Sequence, residues 1–500
     1  MPGVHEAPGV RVLTACVHVA AWVRRRGAHD GGLTAVGGSA TITRGWRQRV
    51  TSNKGGFVKR RLFLGGLGGV AGSLLVRPTA AHSAPSGTPL LAQPGHGAWL
   101  NQQASLPSVP APDWSLVASQ FRLPRDVAYL NTAGLGASPI VVSDAVKAHM
   151  DREEEHPAPG HNEDDWARIR GKCAWLLGSS CHGGDLALMS TATEGLNAVL
   201  NTIGFGRGDE IITSTHEHAG LVIPLLHKVK TAGCVVRTFE PDLVRAEGNV
   251  ERIAALVNAR TRLIVVSHVT CTTGQLMPVA RIGQLARSRG IIFALDGAQS
   301  LGHVVFDIGE TGADYYAASC HKWVMGPKRT GLLYVHPDRQ AAAVPTVVGA
   351  YSDANSDLLA RSLTLRPNAQ RFEYGTQNNA LIYGIEAAID YLSGLGLAAL
   401  WQRNTGLADR CGSGLRRTPG VEMLTPVEAA SRTAILTFRV PGRDNRALAA
   451  ALVGRRLRVR SVTEGGLDAV RASFHACNDE AQADRLVAAV ADLVPLLPRR

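Results

Sequence analysis

Two polar residues that follow predicted buried strands could carry out amine chemistry together. The strand 291–295 is followed by Asp296, and the strand 315–318 is followed closely by Lys322. A lysine can form an imine with a carbonyl cofactor, exchange it for a substrate amine and then move the α-proton. An acid can pair with a protonated pyridine nitrogen, so that the ring stays an electron sink. The pair therefore predicts pyridoxal-5′-phosphate (PLP) chemistry, with Lys322 as the Schiff-base lysine.

The scarcity of lysine narrows the choice of that residue. The chain has eight lysines, and only Lys322 and Lys328 come shortly after a predicted strand end. Lys328 follows Gly326 and Pro327, which are typical of a turn, and its ordinary interpretation is a solvated turn lysine. The other lysines fall in the N-terminal sixty residues or on predicted helices. We therefore expect Lys322 to be the catalytic lysine.

Alternating strands and helices must position these side chains. Short apolar strands are predicted at 209–213, 234–238, 262–267, 291–296, 315–319 and 330–335, with helices such as 250–257 and 279–288 between them. Apolar strands separated by helices favour an α/β fold with a mostly parallel sheet covered on both faces. Ligands of such sheets bind at the carboxyl ends of the strands. We expect this large PLP-binding domain to span residues 119–390.

The pattern becomes mixed after a helix predicted at 382–395. Strands are predicted at 433–440 and 456–462, beside a closing helix at 479–494. Strands and helices in this arrangement favour a smaller α+β domain. We assign it to residues 391–500.

The positive charge of the chain is concentrated near its N-terminus. The formal net charge is +12, and residues 1–61 alone hold eleven basic and two acidic side chains. The remainder is nearly neutral, so we expect no nucleic-acid partner. Residues 1–57 show no sustained periodicity, and we predict that they are disordered or untranslated.

Residues 58–84 have the layout of an export signal. Arg60 and Arg61 precede a short apolar, glycine-rich run that ends in small residues, and the start resembles the twin-arginine export motif. The run is too short for a stable membrane span. We therefore expect a periplasmic or secreted protein, with a cytoplasmic one as the alternative. Residues 85–118 are predicted to be a linker.

The cysteines point to neither a disulfide framework nor a metal site. Eight cysteines are scattered along the chain without a C-x-x-C pair or a Cys/His ligand spacing. Buried single thiols are the ordinary interpretation of such a pattern. We predict no metal ion in this protein.

The segment around Lys322 resembles a known family. Ser319-Cys-His-Lys-Trp323, following Asp296-Gly-Ala-Gln299, is similar to the class V aminotransferases among the fold-type I PLP enzymes. That family includes cysteine desulfurases, isopenicillin N epimerase and kynureninase-like enzymes. The resemblance extends from about Tyr129 to the C-terminus. It implies the PLP-dependent transferase fold type I, PLP as the cofactor and a homodimer.

The resemblance also implies a cofactor site, residue by residue. Asp296 would pair with the pyridine nitrogen, and Gln299 would donate a hydrogen bond to the ring oxygen. His218 would stack on the ring as the third catalytic residue beside Lys322 and Asp296, with His216 as its competitor. The implied phosphate ligands are Ala192 and Thr193 at a helix start, Ser319 and His321 beside the lysine, and Thr376 from the partner chain of the dimer.

Two further residues are expected to bind the substrate. The segment that begins at Arg471 resembles the strand whose arginine binds the substrate α-carboxylate, and a planar guanidinium suits a bidentate contact with that group. Asn131 belongs to a segment, 129–139, that resembles the family's opening loop at the mouth of the active site. We therefore expect a small α-amino acid or related amine as the substrate.

The absence of cysteine from one segment bears on which reaction we expect this protein to catalyse. Desulfurases need a mobile cysteine shortly before the carboxylate-binding arginine, and residues 459–470 contain none. Near Cys271 the chain also departs from the asparagine usual in desulfurases. We expect aminotransfer, with epimerisation of the isopenicillin N epimerase type or β-elimination as alternatives. A cofactor-free homologue is disfavoured because Lys322, Asp296, His321 and Arg471 are all retained.

Overall fold

The computed structural model describes residues 112–158 and 160–499. The predicted leader, the predicted export signal and most of the predicted linker lie outside the described residues. A helix stands where we expected the end of the linker, because Asp113 caps it by accepting hydrogen bonds from the amides of Ser115 and Leu116.

Helices and strands alternate over most of the described chain. The helices are α1 (Trp114–Ser119), α2 (Ile140–Glu155), α3 (Glu163–Trp175), α4 (Ala192–Thr202), α5 (Ala219–Ala232), α6 (Gly248–Leu256), α7 (Val279–Ser288), α8 (Ile308–Thr311), α9 (Pro337–Gln340), α10 (Asn379–Leu395), α11 (Leu397–Arg416), α12 (Asn445–Gly454) and α13 (Glu480–Leu493). The strands are β1 (Ala128–Tyr129), β2 (Leu186–Met189), β3 (Glu210–Ser214), β4 (Val235–Phe239), β5 (Thr261–Ser267), β6 (Ile292–Asp296), β7 (Tyr315–Ser319), β8 (Gly331–Val335), β9 (Asp353–Asp357), β10 (Ser362–Leu365), β11 (Glu422–Met423), β12 (Ile435–Arg439), β13 (Leu457–Arg458), β14 (Arg460–Val462) and β15 (Ala469–Ser473).

The largest sheet has seven strands in the order β2-β8-β7-β6-β5-β3-β4. The five strands from β7 to β4 run parallel, and β8 is antiparallel to both of its neighbours. The predicted mostly parallel sheet is thus confirmed. Strands β5 to β8 are almost entirely buried, which explains their continuous apolar sequences. The parallel strands all end at one edge, where Ser214, Ser267, Asp296 and Ser319 terminate β3, β5, β6 and β7.

A second, antiparallel sheet forms near the C-terminus in the order β11-β12-β15-β14. Helices α11, α12 and α13 pack around it, and its core includes Leu436, Phe438, Val470 and Leu486. This mixture of strands and helices is the α+β arrangement that we predicted. The exact domain boundaries stay a prediction.

Two details of the C-terminal part differ from the prediction. The predicted helix ends at residue 395, as α10 does, but the helix α11 that begins directly after Gly396 was not predicted. The single strand predicted at 456–462 is two short strands in different sheets. Leu457 pairs with Ala128 of β1, whereas Arg460 pairs with Arg471 of β15. The partner of β13 is β1, which lies near the start of the described chain, and a local pattern carries no information about so distant a partner.

Two findings concern features predicted from composition. Among the described helices, none is by itself long and apolar enough to cross a membrane. The described pair α10 and α11 reaches the required length and hydropathy only when the two helices are taken together, and they are bent by 78° where they meet. The seven described cysteines are buried and form no disulfide.

Candidate active site

A cavity of about 450 Å³ opens at the carboxyl edge of the large sheet. Strand ends, the start of α4, the loop after β7 and the strands β14 and β15 all contribute to its wall. The predicted site residues that line it are Asn131, Ala192, Thr193, His218, Asp296, Gln299, Ser319, His321, Lys322 and Arg471. The fold therefore brings together every residue that we expected at the site except Thr376.

Lys322 lies in the loop after β7 and is only 9% exposed. Burial lowers the pKa of its amine, and the nearby Asp296 acts in the opposite direction. The opening loop closes over this segment, because the amide of Gly136 donates to the carbonyl of His321 at 2.8 Å. A Cβ atom at position 136 would meet the Lys322 carbonyl oxygen at 2.1 Å, so only glycine permits this approach.

Asp296 ends β6 and faces the same cavity. One carboxylate oxygen accepts a hydrogen bond from the amide of Ala298 at 2.9 Å. Burial raises the pKa of Asp296, whereas that hydrogen bond and the positive charge of Lys322 oppose the rise. A buried carboxyl with a cationic amine nearby is a suitable partner for a protonated ring nitrogen.

Of the two competing histidines, only His218 lines the cavity. It caps the start of α5, where its Nδ1 accepts a hydrogen bond from the amide of Gly220 at 3.0 Å. Burial and then the charge of Lys322 lower the pKa of His218, which favours the neutral ring. His216 instead contacts Glu240, with 3.1 Å between Nε2 and Oε1. This placement agrees with the preference for His218.

One end of the cavity has the donors that an anion requires. The N-terminus of α4 opens there, and Ser319 Oγ accepts from the amide of Ala192 at 2.9 Å. The Nδ1 atom of His321 is buried and has no hydrogen-bond partner among the described residues. Helix amides, hydroxyls and an unsatisfied imidazole nitrogen suit a phosphate group.

Gln299 is held by neighbours on both sides of its amide. Its Nε2 donates to the carbonyl of Ala133 at 2.8 Å, and its Oε1 accepts from the indole of Trp323 at 2.8 Å. One amide hydrogen of Gln299 remains after these contacts. A hydrogen bond from Gln299 to a cofactor oxygen, which we predicted, would have to use that hydrogen.

Arg471 and Asn131 form a single unit in the wall. Arg471 is 1% exposed, and its two terminal nitrogens donate to the carbonyl of Cys271 at 2.6 Å and to Oδ1 of Asn131 at 3.1 Å. Burial lowers the pKa of Arg471 to about 10, and the neighbouring guanidinium of Arg460 adds to this effect. Both contacts of Arg471 are to neutral oxygens, so its charge is left for an anion that enters the cavity.

Thr376 lies elsewhere. It lines a second cavity of about 210 Å³, together with Ser190 and Arg329 among others. Within this chain it therefore does not reach the predicted phosphate site. Its implied role was to act on a partner chain, and that role stays a prediction.

Sequence reasoning missed two charged residues near the site. Arg460 lines the cavity, and Glu217 lies fully buried behind it, where it accepts from the amide and hydroxyl of Ser267. Ser267 is the strand neighbour of Asp296. Arg460 stands in a predicted strand, but its position at the cavity depends on the pairing of that strand with the one that carries Arg471. Glu217 adjoins His218, but nothing in its local sequence marks a carboxyl buried behind the cavity.

The donor set fits PLP. A buried lysine and a buried acid face the cavity, a neutral histidine borders it, and the anion-binding end has an unsatisfied His321 nitrogen. These are the groups that would hold the aldehyde carbon, the pyridine nitrogen, the ring face and the phosphate, respectively.

Comparison with known sequences extends over most of the described chain. The profile of the family described as aminotransferase class-V matches residues 169–486. A probable cysteine desulfurase from Pyrococcus abyssi is 28% identical over 325 residues, which are 63% of this chain and 80% of that protein. The isopenicillin N epimerase from Amycolatopsis lactamdurans is 31% identical over 320 residues, 62% of this chain and 80% of that protein.

Comparison with solved structures finds a similar fold in a protein that carries PLP. The structure of a C-DES variant, in which glycine is covalently linked to the PLP cofactor, superposes with a TM-score of 0.68 at 26% identity. The match covers 76% of this chain and all of that one. C-DES is described as a cystine C–S lyase.

Proposed function

This chain belongs to the class-V aminotransferase family, and from that premise we propose that it transfers the amino group of an α-amino acid. Its fold is the PLP-dependent transferase fold type I, and its cofactor is PLP. The observation that carries the proposal is the convergence of Lys322, Asp296 and Arg471 in one cavity. These three side chains could hold a cofactor and an amino acid at the same time.

Lys322 is the residue that we propose as the covalent attachment point and the proton carrier. Bound PLP supplies an electron sink for negative charge at the substrate α-carbon. The lowered pKa of Lys322 increases the fraction of neutral amine, which is the form that attacks a carbonyl and accepts a proton. Asp296 would hold a proton at the pyridine nitrogen.

Arg471 would orient the substrate through its α-carboxylate. Its guanidinium is already positioned by Cys271 and Asn131, so little side-chain freedom is lost when the substrate binds. The charge-assisted contact would place the α-carbon near Lys322, which lines the same cavity.

The single amine at the cavity favours aminotransfer over epimerisation, because the neutral imidazole of His218 is expected to stack on the cofactor ring and not to carry the substrate proton. Lys322 is the one amine among the described lining residues. A single base can remove a proton from the α-carbon and deliver it to the cofactor carbon on the same face. Inversion of the α-carbon needs proton delivery from the opposite face as well. The similarity to an isopenicillin N epimerase keeps epimerisation as the second candidate.

The described thiols do not favour persulfide formation, although several relatives are named cysteine desulfurases. Residues 459–470 contain no cysteine. Burial raises the pKa of Cys271 to about 11 and those of Cys320 and Cys477 to about 12. The thiolate is the nucleophilic form of cysteine, so these thiols are poorly suited to attack sulfur.

A half-reaction without an acceptor separates the candidate reactions. The PLP-loaded protein is incubated with a panel of L-amino acids, and keto acid, α-proton exchange and sulfide are measured. Aminotransfer predicts about one keto acid per cofactor, with turnover resuming when a second keto acid is added. Epimerisation predicts solvent deuterium at the α-carbon of both enantiomers without keto acid.

The desulfurase alternative has its own control in the same experiment. L-Cysteine should yield no protein-bound persulfide and little sulfide. Sustained release of alanine and sulfide from L-cysteine would overturn the proposal. Lys322→Ala is the control for background chemistry by free PLP.

We also propose that the active protein is a homodimer and that it is exported. The dimer follows from the family role of Thr376, which in this chain lines a different cavity from the other predicted ligands. The export proposal rests on Arg60 and Arg61 and the apolar run that follows them, which lie outside the described residues.

A further inference from the structure

Two arginines, and not one, face the cavity. We propose that Arg460 is a specificity-determining residue that binds a second carboxylate, so that the substrates of this protein are dicarboxylic amino acids. The inference rests on the proposed function only in that Arg471 takes the α-carboxylate.

The strand register places the two arginines directly opposite each other. Arg460 of β14 lies directly opposite Arg471 of β15 in an antiparallel pair. Directly opposed residues project from the same face of a sheet, with Cβ atoms about 4.5–5.5 Å apart. Both side chains line the cavity, so both charges act on the same space.

Like charges in such a pair are destabilising unless something compensates them. Arg471 contacts only neutral oxygens, and its Nε is buried without a partner in the described part of the chain. The described lining residues include three basic side chains, Lys322, Arg460 and Arg471, against the single acid Asp296. Arg460 is balanced by Glu464, which does not line the cavity, so a second carboxylate of a ligand would compete with Glu464 for Arg460.

Arg460 also has donors to spare. Its guanidinium forms an ion pair with Glu464, and among the described residues it donates no other hydrogen bond. A guanidinium has five N–H donors in a planar fork. The Arg460 side chain is 31% exposed, which leaves an open edge for a ligand. Its charge acts on Lys322, His218 and Arg471, whose pKa values it lowers.

The competing interpretation is that Arg460 only holds the loop 463–467 through Glu464. The two interpretations predict opposite effects on diacid binding when Glu464 is removed. If Arg460 binds a ligand carboxylate, then Glu464 competes with that carboxylate, and its removal should strengthen binding. If Arg460 only fixes the loop, removal of either partner should weaken binding of every ligand alike.

The test uses ligands that cannot react. Succinate, glutarate and adipate are compared by calorimetry with their monoacid counterparts butyrate, valerate and hexanoate on the PLP-loaded protein. None of them has an amino group, so the result does not depend on activity. At least one diacid should bind about tenfold or more tightly than its monoacid, as expected for an added charge-assisted hydrogen bond.

The variants then assign that preference to a residue. Arg460→Met should reduce the diacid preference to less than about threefold and leave monoacid binding within about twofold, whereas Arg460→Lys should retain part of it. Glu464→Gln should increase diacid affinity. Arg458→Met, at an exposed neighbouring arginine, is the matched control and should change nothing.

Equal binding of diacids and monoacids would overturn the inference, as would a diacid preference that survives Arg460→Met. So would equal losses in Arg460→Met and Glu464→Gln for both ligand classes. Failure of the proposed function has a different signature. No amino acid would then yield keto acid, whether or not diacids bind. If the proposed function holds and the inference fails, monocarboxylic and dicarboxylic amino acids would be processed equally well.

Discussion

Relative to the wild type, the Glu217→Gln variant should gain stability as the pH rises from acidic to neutral. Burial raises the pKa of the Glu217 carboxyl from its ordinary 4.5 to about 7, although Ser214 and Ser267 hydrogen-bond to it. Between these two values the folded state retains a proton that the unfolded chain has released. The free energy of unfolding therefore falls as the pH rises from 4.5 through about 7.

The size of the effect follows from the two pKa values. At about 1.4 kcal/mol per pKa unit, the gap between 4.5 and about 7 costs the wild type about 3 kcal/mol once the pH exceeds 7. Glutamine has no proton to lose, so Glu217→Gln escapes this cost. Exchange of the carboxyl hydroxyl for an amide group also changes the free energy of unfolding, but by an amount that does not depend on pH. The predicted quantity is thus the change with pH in the stability difference between variant and wild type.

Urea unfolding of the PLP-loaded proteins at pH 5, 6, 7 and 8 measures that difference. It should rise by about 2–3 kcal/mol in favour of Glu217→Gln between pH 5 and pH 8. Glu154→Gln, at an exposed position of α2, is the control and should give a flat difference. A flat difference for Glu217→Gln as well would show that Glu217 is ionised throughout, and would refute the argument from burial.

Three further predictions concern binding, assembly and export. Arg471→Ala should raise the Michaelis constant for the amino acid about a hundredfold, since it removes a charge-assisted bidentate contact, while the absorbance of the bound cofactor persists. Sedimentation should find a dimer at micromolar concentration, and Thr376→Ala should weaken PLP binding; a monomer that binds PLP stoichiometrically would exclude the dimer proposal. Replacement of Arg60 and Arg61 by lysine should leave the precursor in the cytoplasm, and unchanged export would remove the twin-arginine interpretation.

The large sheet was predictable because its strands carry strong local signals. The apolar runs that became β5, β6 and β7 are flanked by helices, and their polar ends bring Asp296 and Lys322 to one edge. For parallel strands, the direction of the chain alone decides which ends meet. The main catalytic pair therefore needed no knowledge of distant contacts.

The substrate side of the cavity could not be derived in the same way. Arg460 faces the cavity because β14 pairs with β15, and the nearby β13 pairs instead with β1 at the other end of the described chain. The second contact of Arg471, with Cys271, joins residues 200 positions apart. Such pairings are decided by packing of the whole molecule. Glu217 was missed for the same reason, since its burial depends on Ser267 of another strand.

The measurement that tests the central claim most directly is the site of covalent attachment of the cofactor. The PLP-loaded protein is reduced with borohydride, digested and analysed by mass spectrometry. The account predicts that the pyridoxyl phosphate group is found on Lys322, whose amine is buried at the cavity beside Asp296, and that Lys328→Ala leaves the label in place. A reduced cofactor on any other lysine of the wild type, or a label that persists in Lys322→Ala, would contradict the account.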